Sequence, residues 1–454
     1  MLTQLRIRNF KAWQDTGNIR LAPLTVFFGT NSSGKTSLLQ FLLMLKQTVQ
    51  SPDRRRVLHF GDKHSLVNLG VWPEMVFRHD ASRMLGFGVK WRYSIDPIWL
   101  NHVRVPDEVE SGEFEAELGT IQQEQAPLNL KSFTYRFPGE SLGIRQIEAK
   151  QYKAWRTIPV PYGLRETILT SLELNHFHGI YQTGPVLDRG RIDFFSAQLT
   201  LEEQLKALRY LGPLRQSPSR LYEWAGDIPE DVGLAGERTV DALLAARERQ
   251  LTPPGATDGL LFAALIARWL QQMGILDSFE IVPIAPHRKE YEVLVRTVGM
   301  PEAVSLTDVG FGVSQLLPVL VQLLYVESGC TLIFEQPELH LHPRAQSALA
   351  DVFIDALQMR EEGTSRELQL LVESHSEHFL RRIQRRIAEE KLDPAQVALY
   401  FCKPGHEGST IEELKLDEYG NISNWPENFF GDEIGDLAAM TEAAMKRQLG
   451  PGEQ

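Results

Sequence analysis

The stretch Phe28-Gly29-Thr30-Asn31-Ser32-Ser33-Gly34-Lys35-Thr36-Ser37 matches the pattern G-x-x-x-x-G-K-[ST] at each fixed position. The preceding residues 24–28 are apolar and rich in β-formers, which is typical of a buried parallel strand. The following residues 36–49 are apolar almost all round, which predicts a buried helix. A glycine-rich loop between such a strand and a helix N-terminus directs backbone N–H groups toward one point. The sequence therefore predicts a phosphate-binding loop, here called the P-loop (residues 29–37).

The residues of the P-loop have individual chemical roles. Gly29 and Gly34 permit the turn and the close approach of the backbone to a phosphate. Lys35 is expected to reach the β- and γ-phosphates of ATP, and the Thr36 hydroxyl is expected to ligate Mg²⁺. The alternative is a Gly/Ser-rich turn with a solvated lysine. The full predicted ATP-binding set is Gly29, Asn31, Ser32, Ser33, Gly34, Lys35, Thr36 and Ser37.

The composition of the chain is that of an ordinary globular protein. Its 454 residues are 43% hydrophobic and 23% charged, with ample length for a large core. The 59 acidic residues outnumber the 47 basic ones, and the net charge of −12 argues against a general binder of nucleic acid or anionic membranes. Cys330 and Cys402 lie in apolar runs, which suggests reduced structural thiols. With no signal-peptide pattern at the N-terminus, we expect a soluble cytoplasmic protein.

The middle of the chain alternates between strand and helix patterns. Short strands are predicted at residues 84–94, 113–118, 131–137, 144–150 and 171–174, with the acidic segment 106–127 as a loop. Helices are predicted at 200–210, 240–249 and 259–273, followed by strands at 278–283 and 290–296. This pattern indicates an antiparallel β-rich region followed by a helical one.

A second group of chemical residues follows residue 330. Residues 331–338 form an apolar strand that ends in Glu335 and Glu338, where a P-loop ATPase places the carboxylate that holds hydrated Mg²⁺. Pro343 suits the first turn of a following helix, and Glu338 alternatively caps that helix region. The next apolar strand, 368–372, leads to His375, which can reach a γ-phosphate or serve only as a helix cap. We therefore predict that these acids and His375 meet the P-loop.

Each of three further stretches allows two interpretations. The glycine-rich turn (residues 308–315) carries Gly312, Ser314 and Gln315, and is either a second anion site or a loop with an N-cap. The basic run at 53–56 is either a solvated helix exit or a phosphate contact. The four arginines of the helix at 379–390 form either a solvated face or a docking surface for a partner or nucleic acid.

Taken in order, these segments resemble an ABC-type ATPase of the structural-maintenance, RecF and overcoming-lysogenization branch. Within that branch the chain is similar to bacterial AAA-family ATPases that carry a DUF3696 tail. The resemblance covers most of the chain and rests on the following stretches: residues 7–11, the P-loop, residues 210–215, the glycine-rich turn, residues 335–343, residues 373–378 and the tail at 420–430.

The resemblance implies an α/β fold, namely an ABC-type P-loop ATPase head with an antiparallel β-rich lobe and an inserted helical region. The nucleotide-binding domain would have its N-terminal half at 1–65 and its C-terminal half at 276–416. The lobe and the helical region would occupy 66–275, and the DUF3696-like tail 417–454.

In this branch two heads close face to face around ATP. The resemblance thus assigns Gly312, Ser314 and Gln315 to the γ-phosphate in trans, and His375 to the switch position that senses it. It assigns Glu335, with Thr36, to Mg²⁺. The glutamine that relatives carry after the first helix has no counterpart that the sequence identifies.

The chain departs from many relatives at the acid pair. They carry an acid followed directly by a catalytic Glu, whereas here Glu335 is followed by Gln336. The amide of glutamine is not basic and cannot accept a proton from the attacking water. Either Glu338 supplies the base, or hydrolysis is slow and ATP binding is the working signal.

Three functions follow from the resemblance. The preferred one is an ATP-dependent switch in bacterial antiphage defence, which dimerises or assembles further on ATP and controls a separate effector, a TOPRIM-like or HNH nuclease encoded nearby. The second is a RecF-like ATPase that clamps DNA, which predicts salt-sensitive binding to nucleic acid. The third is a nucleotide-dependent scaffold that does not hydrolyse ATP. The step from fold to effector is family-level analogy.

Overall fold

The computed structural model describes residues 1–93, 111–120, 128–148, 151–158, 163–169, 174–180, 186–187, 190–191, 194–426, 429 and 433–448. The strands in chain order are β1 (Leu2–Phe10), β2 (Trp13–Asp15), β3 (Ile19–Arg20), β4 (Leu24–Gly29), β5 (Leu85–Arg92), β6 (Ser111–Gly119), β7 (Asn129–Phe137), β8 (Glu140–Glu148), β9 (Gln151–Ile158), β10 (Gly163–Leu169), β11 (Leu174–Asn175), β12 (Gly179–Ile180), β13 (Val186–Leu187), β14 (Gly190–Arg191), β15 (Leu208–Leu211), β16 (Tyr222–Glu223), β17 (Gln250–Leu251), β18 (Leu260–Leu261), β19 (Leu276–Pro283), β20 (Glu290–Thr297), β21 (Val304–Ser305), β22 (Thr331–Glu335), β23 (Arg360–Glu361), β24 (Thr364–Ser365), β25 (Gln369–Glu373), β26 (Val397–Lys403) and β27 (Thr410–Leu414). The helices are α1 (Lys35–Val49), α2 (Trp72–Met75), α3 (Phe195–Lys206), α4 (Thr239–Ala245), α5 (Phe262–Gln272), α6 (Phe311–Tyr325), α7 (Pro343–Gln358), α8 (Glu377–Ala388) and α9 (Glu433–Gln448).

A six-stranded sheet, in the order β15-β22-β25-β4-β26-β27, holds the P-loop strand near its centre. The pairs from β15 to β26 are parallel, and β27 closes the edge in the antiparallel sense. Alternate side chains of these strands enter two different cores, because successive residues of a strand point to opposite faces. Phe28 and Phe334 belong to one core, and Phe27 and Ile333 to the other. The parallel arrangement brings the carboxyl ends of β4, β22 and β25 to one edge.

The second core lies between this sheet and a larger antiparallel one. Within the described residues, the larger sheet has the order β10-β9-β8-β7-β6-β5-β1-β2, with β3 paired to β1. Aromatic rings connect it to α1, since Phe41 of that helix lies 5.1 Å from Phe10 and 5.2 Å from Phe87 between ring centroids. The P-loop helix is therefore enclosed between the two sheets, as its apolar sequence predicts.

Helices α4 to α8 contribute to the first core, on the other face of the parallel sheet. A small sheet of β16, β20, β19 and β21 packs beside α5. These features confirm the predicted α/β class with an antiparallel β-rich lobe and a helical region. No helix within the described ranges is both long enough and apolar enough to cross a bilayer.

Two sequence predictions were wrong in this region. The helix predicted at 200–210 ends at Lys206, and residues 208–211 instead form β15 against β22, because that parallel pairing buries Leu208 and Leu211. The loop predicted at 106–127 was wrong over residues 111–119, which form β6, whereas the strand predicted at 113–118 is confirmed there: β6 pairs with both β5 and β7 and buries Phe114. Residues 106–110 and 121–127 of the predicted loop lie outside the described residues. At residues 208–211 tertiary packing overrides a local pattern. Residues 171–173 of the strand predicted at 171–174 lie outside the described residues.

Candidate functional site

The P-loop connects β4 to α1 with two glycines in conformations that other residues avoid. Gly29 has φ of 142° and Gly34 has φ of 90°. A Cβ at Gly29 would lie 2.2 Å from the Cys402 carbonyl oxygen, and one at Gly34 would lie 2.9 Å from Trp13 Nε1. Backbone dihedral and available space therefore both require glycine at these positions.

Lys35 lies folded against its own loop. Its Nζ donates hydrogen bonds to the carbonyl oxygens of Gly29 (3.1 Å) and Thr30 (2.8 Å) and to Ser33 Oγ (3.4 Å). Burial lowers the pKa of Lys35, and the nearby Glu373 carboxylate partly offsets that effect. A bound phosphate would replace these carbonyl contacts with charged oxygens, which bind an ammonium more strongly. The alternative of a solvated lysine was wrong, since the side chain is 3% exposed.

The remaining P-loop side chains divide into outward and inward ones. Asn31 and Ser32 are exposed, whereas Ser33 and Ser37 are buried. The Ser37 hydroxyl donates to the Gly34 carbonyl at 2.6 Å. Ser33 and Ser37 therefore shape the loop, while Asn31 and Ser32 face solvent.

Trp13, on β2, contacts the end of the P-loop where α1 begins. Its indole Nε1 donates to Gly34 O at 3.1 Å and to Ser37 Oγ at 3.0 Å, and the side chain is fully buried. The turn between β1 and β2 thus fixes the start of α1. No sequence pattern indicates this contact, because it joins residues that only the antiparallel sheet brings together.

Glu373, at the end of β25, is the acid that contacts Thr36. The Thr36 hydroxyl donates to Glu373 Oε2 at 2.7 Å, and Lys35 Nζ lies 4.0 Å from Glu373 Oε1. In the sheet, Glu373 is the register partner of both Glu335 and Phe27, so β25 lies between the strand of Glu335 and the P-loop strand. Sequence reasoning assigned no role to Glu373, although it ends a buried strand directly before His375.

Glu335 is buried beside this pair. Its Oε1 accepts a 2.9 Å hydrogen bond from the Tyr210 hydroxyl. Burial and, second, the Glu373 charge raise the pKa of Glu335 to about 7. Glu335 and Glu373 thus place two buried carboxylates side by side, next to the Lys35 ammonium of the P-loop.

Mg²⁺ fits this donor set, because it prefers oxygen ligands and retains waters and phosphate oxygens in its coordination shell. Thr36, Glu373 and Glu335 would hold it directly or through water. No group of three or more His, Cys, Asp or Glu side chains suited to a metal occurs in the described part of the chain. Phosphate and water are therefore needed to complete the coordination.

Gln336 and Glu338 follow in the acidic turn (residues 335–338). Gln336 has φ of 46°, and its backbone N–H donates to the Glu373 carbonyl at 2.8 Å. Glu338 is 6% exposed, and its Oε1 accepts hydrogen bonds from Ser374 Oγ (2.9 Å) and the His375 N–H (2.7 Å). Burial raises the pKa of Glu338. Glu338 thus anchors the segment that carries His375.

His375 remains exposed at the same edge. Partial burial and the Lys35 ammonium lower the pKa of His375, which favours a neutral imidazole. The N-cap of α8 is Ser376, whose hydroxyl accepts from the Phe379 N–H at 3.0 Å, so His375 is not the cap. Likewise His342, not Glu338, caps α7.

Residues 311–315 of the stretch predicted as a glycine-rich turn already belong to α6, whose N-cap is Gly310 without a side-chain cap. Gly312 is half-buried, and Ser314 and Gln315 are buried at 6% and 2% exposure. Gln315 Nε2 donates to the Arg215 carbonyl of the same chain at 3.5 Å. The assignment of these residues to a phosphate in trans stays a prediction.

Ion pairs within the chain involve two arginines of the run at 53–56 and all four arginines of α8. Arg54 contacts Glu202 at 3.0 Å, and Arg56 lies 3.8 Å from Asp53. The four arginines of α8 contact acids on α7 and on the helix itself or its C-cap: Arg381 with Glu377, Arg382 with Asp351, Arg385 with Glu389, and Arg386 with Asp351 and Glu389. These pairs favour the interpretation of ordinary charged faces over that of a nucleic-acid surface.

Comparison with known proteins supports the resemblance. Residues 24–381 match the family described as "AAA domain, putative AbiEii toxin, Type IV TA system", and residues 392–440 match the family described as "Protein of unknown function (DUF3696)". No curated protein matches the chain.

Several solved structures of SMC heads are similar. One is an SmcHead bound to the C-winged helix domain of ScpA, with 11% identity and a TM-score of 0.41, covering 91% of this chain and 98% of that one. Another is the SMC head domain from Thermotoga maritima, with 10% identity and a TM-score of 0.36, covering 91% and 99%. A third is the Smc head domain with an extended coiled coil bound to the C-terminal domain of ScpA, derived from Pyrococcus furiosus, with 9% identity and a TM-score of 0.38, covering 98% and 99%.

Proposed function

Because this chain belongs to that AAA domain family, we propose that it is an ATP-dependent molecular switch in bacterial antiphage defence. In this proposal two copies close around Mg·ATP and control a separate effector protein, a nuclease. The family is the premise for nucleotide binding. Its description as a toxin of a type IV toxin–antitoxin system supports a role in a conflict between a cell and a genetic parasite.

One observation carries the switch function: Thr36, Glu373 and Glu335 gather at the mouth of the P-loop, while the residue after Glu335 is a glutamine. The binding of Mg·ATP there is supported by the convergence of hydroxyl, carboxylate and ammonium groups. When bound, Mg²⁺ neutralises phosphate charge. Lys35 and the backbone N–H groups of the P-loop then orient the phosphates.

The hydrolytic step has a weak general base. Gln336 cannot take a proton from water. Glu338 Oε2 is buried and has no hydrogen-bond partner within the part of the chain that the structure describes, but the other oxygen accepts from Ser374 and His375. We therefore expect slow ATP hydrolysis and a long-lived ATP-bound state. Both suit a protein that signals through its closed, ATP-bound dimer.

The test measures phosphate release and ATP-dependent molar mass for the parent and for Lys35→Ala, Gln336→Glu and Glu338→Gln. Lys391→Ala, at a largely exposed lysine, is the matched control for Lys35→Ala. We expect slow release in the parent, a doubling of mass with ATP, and loss of both in Lys35→Ala. Gln336→Glu is expected to raise turnover about 100-fold, the order of a positioned general base.

Other outcomes would redirect the proposal. A parent that does not change mass with ATP would contradict the closed dimer. A parent with fast turnover that Glu338→Gln abolishes would identify Glu338 as the base. For the effector, the product of the neighbouring gene is expected to co-purify with the parent in ATP and not with Lys35→Ala.

A non-hydrolysing scaffold is the second candidate, favoured by Gln336 and by the burial of Glu338. It predicts ATP-dependent assembly with almost no phosphate release by the parent. A RecF-like DNA clamp gains no support from the α8 arginines, which are paired with acids of the same chain.

A further inference from the structure

Arg215 enters the candidate site from a segment that has no role in the scheme above. It follows β15 in residues 211–216, where the Gly212 N–H donates to Leu234 O at 2.9 Å and the Gln216 N–H to Ala235 O at 2.7 Å. These bonds hold the segment against the neighbouring loop. The Arg215 side chain is 5% exposed and points inward.

The Arg215 guanidinium binds the backbone of the acidic turn. Nη2 donates to the Glu335 carbonyl at 3.1 Å, and Nη1 to the Gln336 carbonyl at 3.3 Å. Gln336 has a left-handed φ, which disfavours a residue with a side chain and persists only where surrounding contacts hold it. Arg215 supplies two of those contacts, to the carbonyls of Glu335 and Gln336. The Gln336 N–H also donates to Glu373 O, and the Gln336 carbonyl also accepts from the Leu339 N–H at 3.1 Å.

Arg215 also connects to two other parts of the site. Its own carbonyl accepts from Gln315, on the helix that the glycine-rich turn begins. Its charge faces Glu338, and this carboxylate is the main group that opposes the lowering of the Arg215 pKa, to about 10, by burial. Arg215 Nε and Glu338 Oε2 are both buried without a hydrogen-bond partner among the described residues. The guanidinium thus donates hydrogen bonds to the backbone of the acidic turn, and it attracts the Glu338 carboxylate electrostatically without a hydrogen bond between them.

We propose that Arg215 is a positioning residue that holds the acidic turn, and with it Glu335, in the geometry that receives Mg·ATP, and links that turn to the helix of Ser314 and Gln315. This proposal rests on the proposed nucleotide function. A buried arginine can also be only a structural support, so the test must separate the two roles.

The first measurement is hydrogen exchange in the nucleotide-free protein. Arg215→Lys keeps the charge but loses the paired donors, and Arg220→Lys is its control. Arg220 lies in the same stretch of chain, is 69% exposed and pairs with Asp308 at 2.8 Å. We expect the peptide that spans residues 335–339 to exchange about tenfold faster in Arg215→Lys, with the β4 peptide unchanged. Unchanged exchange at 335–339, or faster exchange throughout the chain, would overturn the proposal.

The second measurement compares ATP affinity in Mg²⁺ and in EDTA. In Arg215→Lys we expect the affinity for ATP in Mg²⁺ to fall about tenfold, because a group that orients a metal ligand is lost. The affinity for ATP in EDTA is expected to stay the same. An equal loss in both conditions contradicts positioning. A parent that binds no ATP refutes the proposed function, yet the exchange result still decides the role of Arg215.

Discussion

The Thr36 hydroxyl donates a 2.7 Å hydrogen bond to Glu373, and not to Glu335, the acid expected to hold Mg²⁺ together with Thr36. The strand order explains this contact, because β25 lies between the P-loop strand and the strand of Glu335. Glu373 is therefore the acid nearest to the P-loop lysine and threonine. Its removal gives the first prediction.

Glu373→Gln is expected to weaken ATP binding about tenfold or more in Mg²⁺ and to leave binding in EDTA unchanged or slightly stronger. The reason is that the variant removes a negative charge that attracts Mg²⁺ but repels phosphate. Binding of a fluorescent ATP analogue in the two buffers measures both values. Glu367→Gln, at an exposed glutamate just before the same strand, is the control. Equal weakening in both buffers would contradict a role toward the metal.

The raised pKa of Glu335 predicts that the stability of the metal-free protein depends on pH. Its pKa is about 7 in the folded protein against 4.5 as the ordinary value, because of burial and the Glu373 charge. A carboxyl group whose pKa is raised in the folded protein contributes to the free energy of unfolding. This contribution is fully present below pH 4.5 and is lost as the pH rises through 7. In EDTA, Glu335→Gln should therefore gain stability relative to the parent between pH 5 and pH 8, by up to about 3 kcal/mol.

Denaturant unfolding at several pH values measures this difference. Glu335→Gln keeps an oxygen that accepts from Tyr210, so the comparison isolates the charge. A constant difference between the variant and the parent from pH 5 to pH 8 would show that Glu335 is not perturbed in this way.

Gly34→Ala is expected to lower the free energy of unfolding and to abolish tight ATP binding. The left-handed φ alone costs about 1–2 kcal/mol, and contact with the Trp13 indole adds to it. Gly226→Ala is the matched control, since Gly226 has φ of 100° and no atom within 4 Å of the added Cβ. Equal losses in both variants would mean that Trp13 accommodates the methyl group.

The tail contacts the P-loop strand through Phe429. Its ring lies 4.5 Å from that of Phe401 and 5.7 Å from that of Phe28, which directly precedes Gly29. Because Phe429 is 7% exposed, Phe429→Ala should lower the free energy of unfolding by about 3–5 kcal/mol. Tyr419→Ala, at a tail residue with 68% exposure, should change it little. Equal thermal unfolding of the two variants would show that the tail is not docked as described.

The local elements of the site could be predicted because their signals lie in contiguous residues. The P-loop pattern between an apolar strand and an apolar helix defined β4 and α1 to within one residue at each end. The acid-terminated strand predicted at 331–338, which ends at Glu335 in the structure, and the helix that begins at Pro343 were predicted on the same grounds. Composition and turn chemistry act over a few residues, so a sequence pattern is sufficient for them.

The partners of the P-loop were decided by tertiary structure. Trp13 reaches Gly34 because β1 and β2 fold over α1, and Glu373 reaches Thr36 because β25 is inserted between β22 and β4. Residues 208–211 form a strand because a parallel neighbour buries them, which also brings Arg215 to the acidic turn. The sequence by itself predicted the P-loop and the acid-terminated strand of Glu335, but it assigned no role to Glu373. Only the strand order decided which of them meet, because hydrogen bonding between distant strands leaves no local periodic trace.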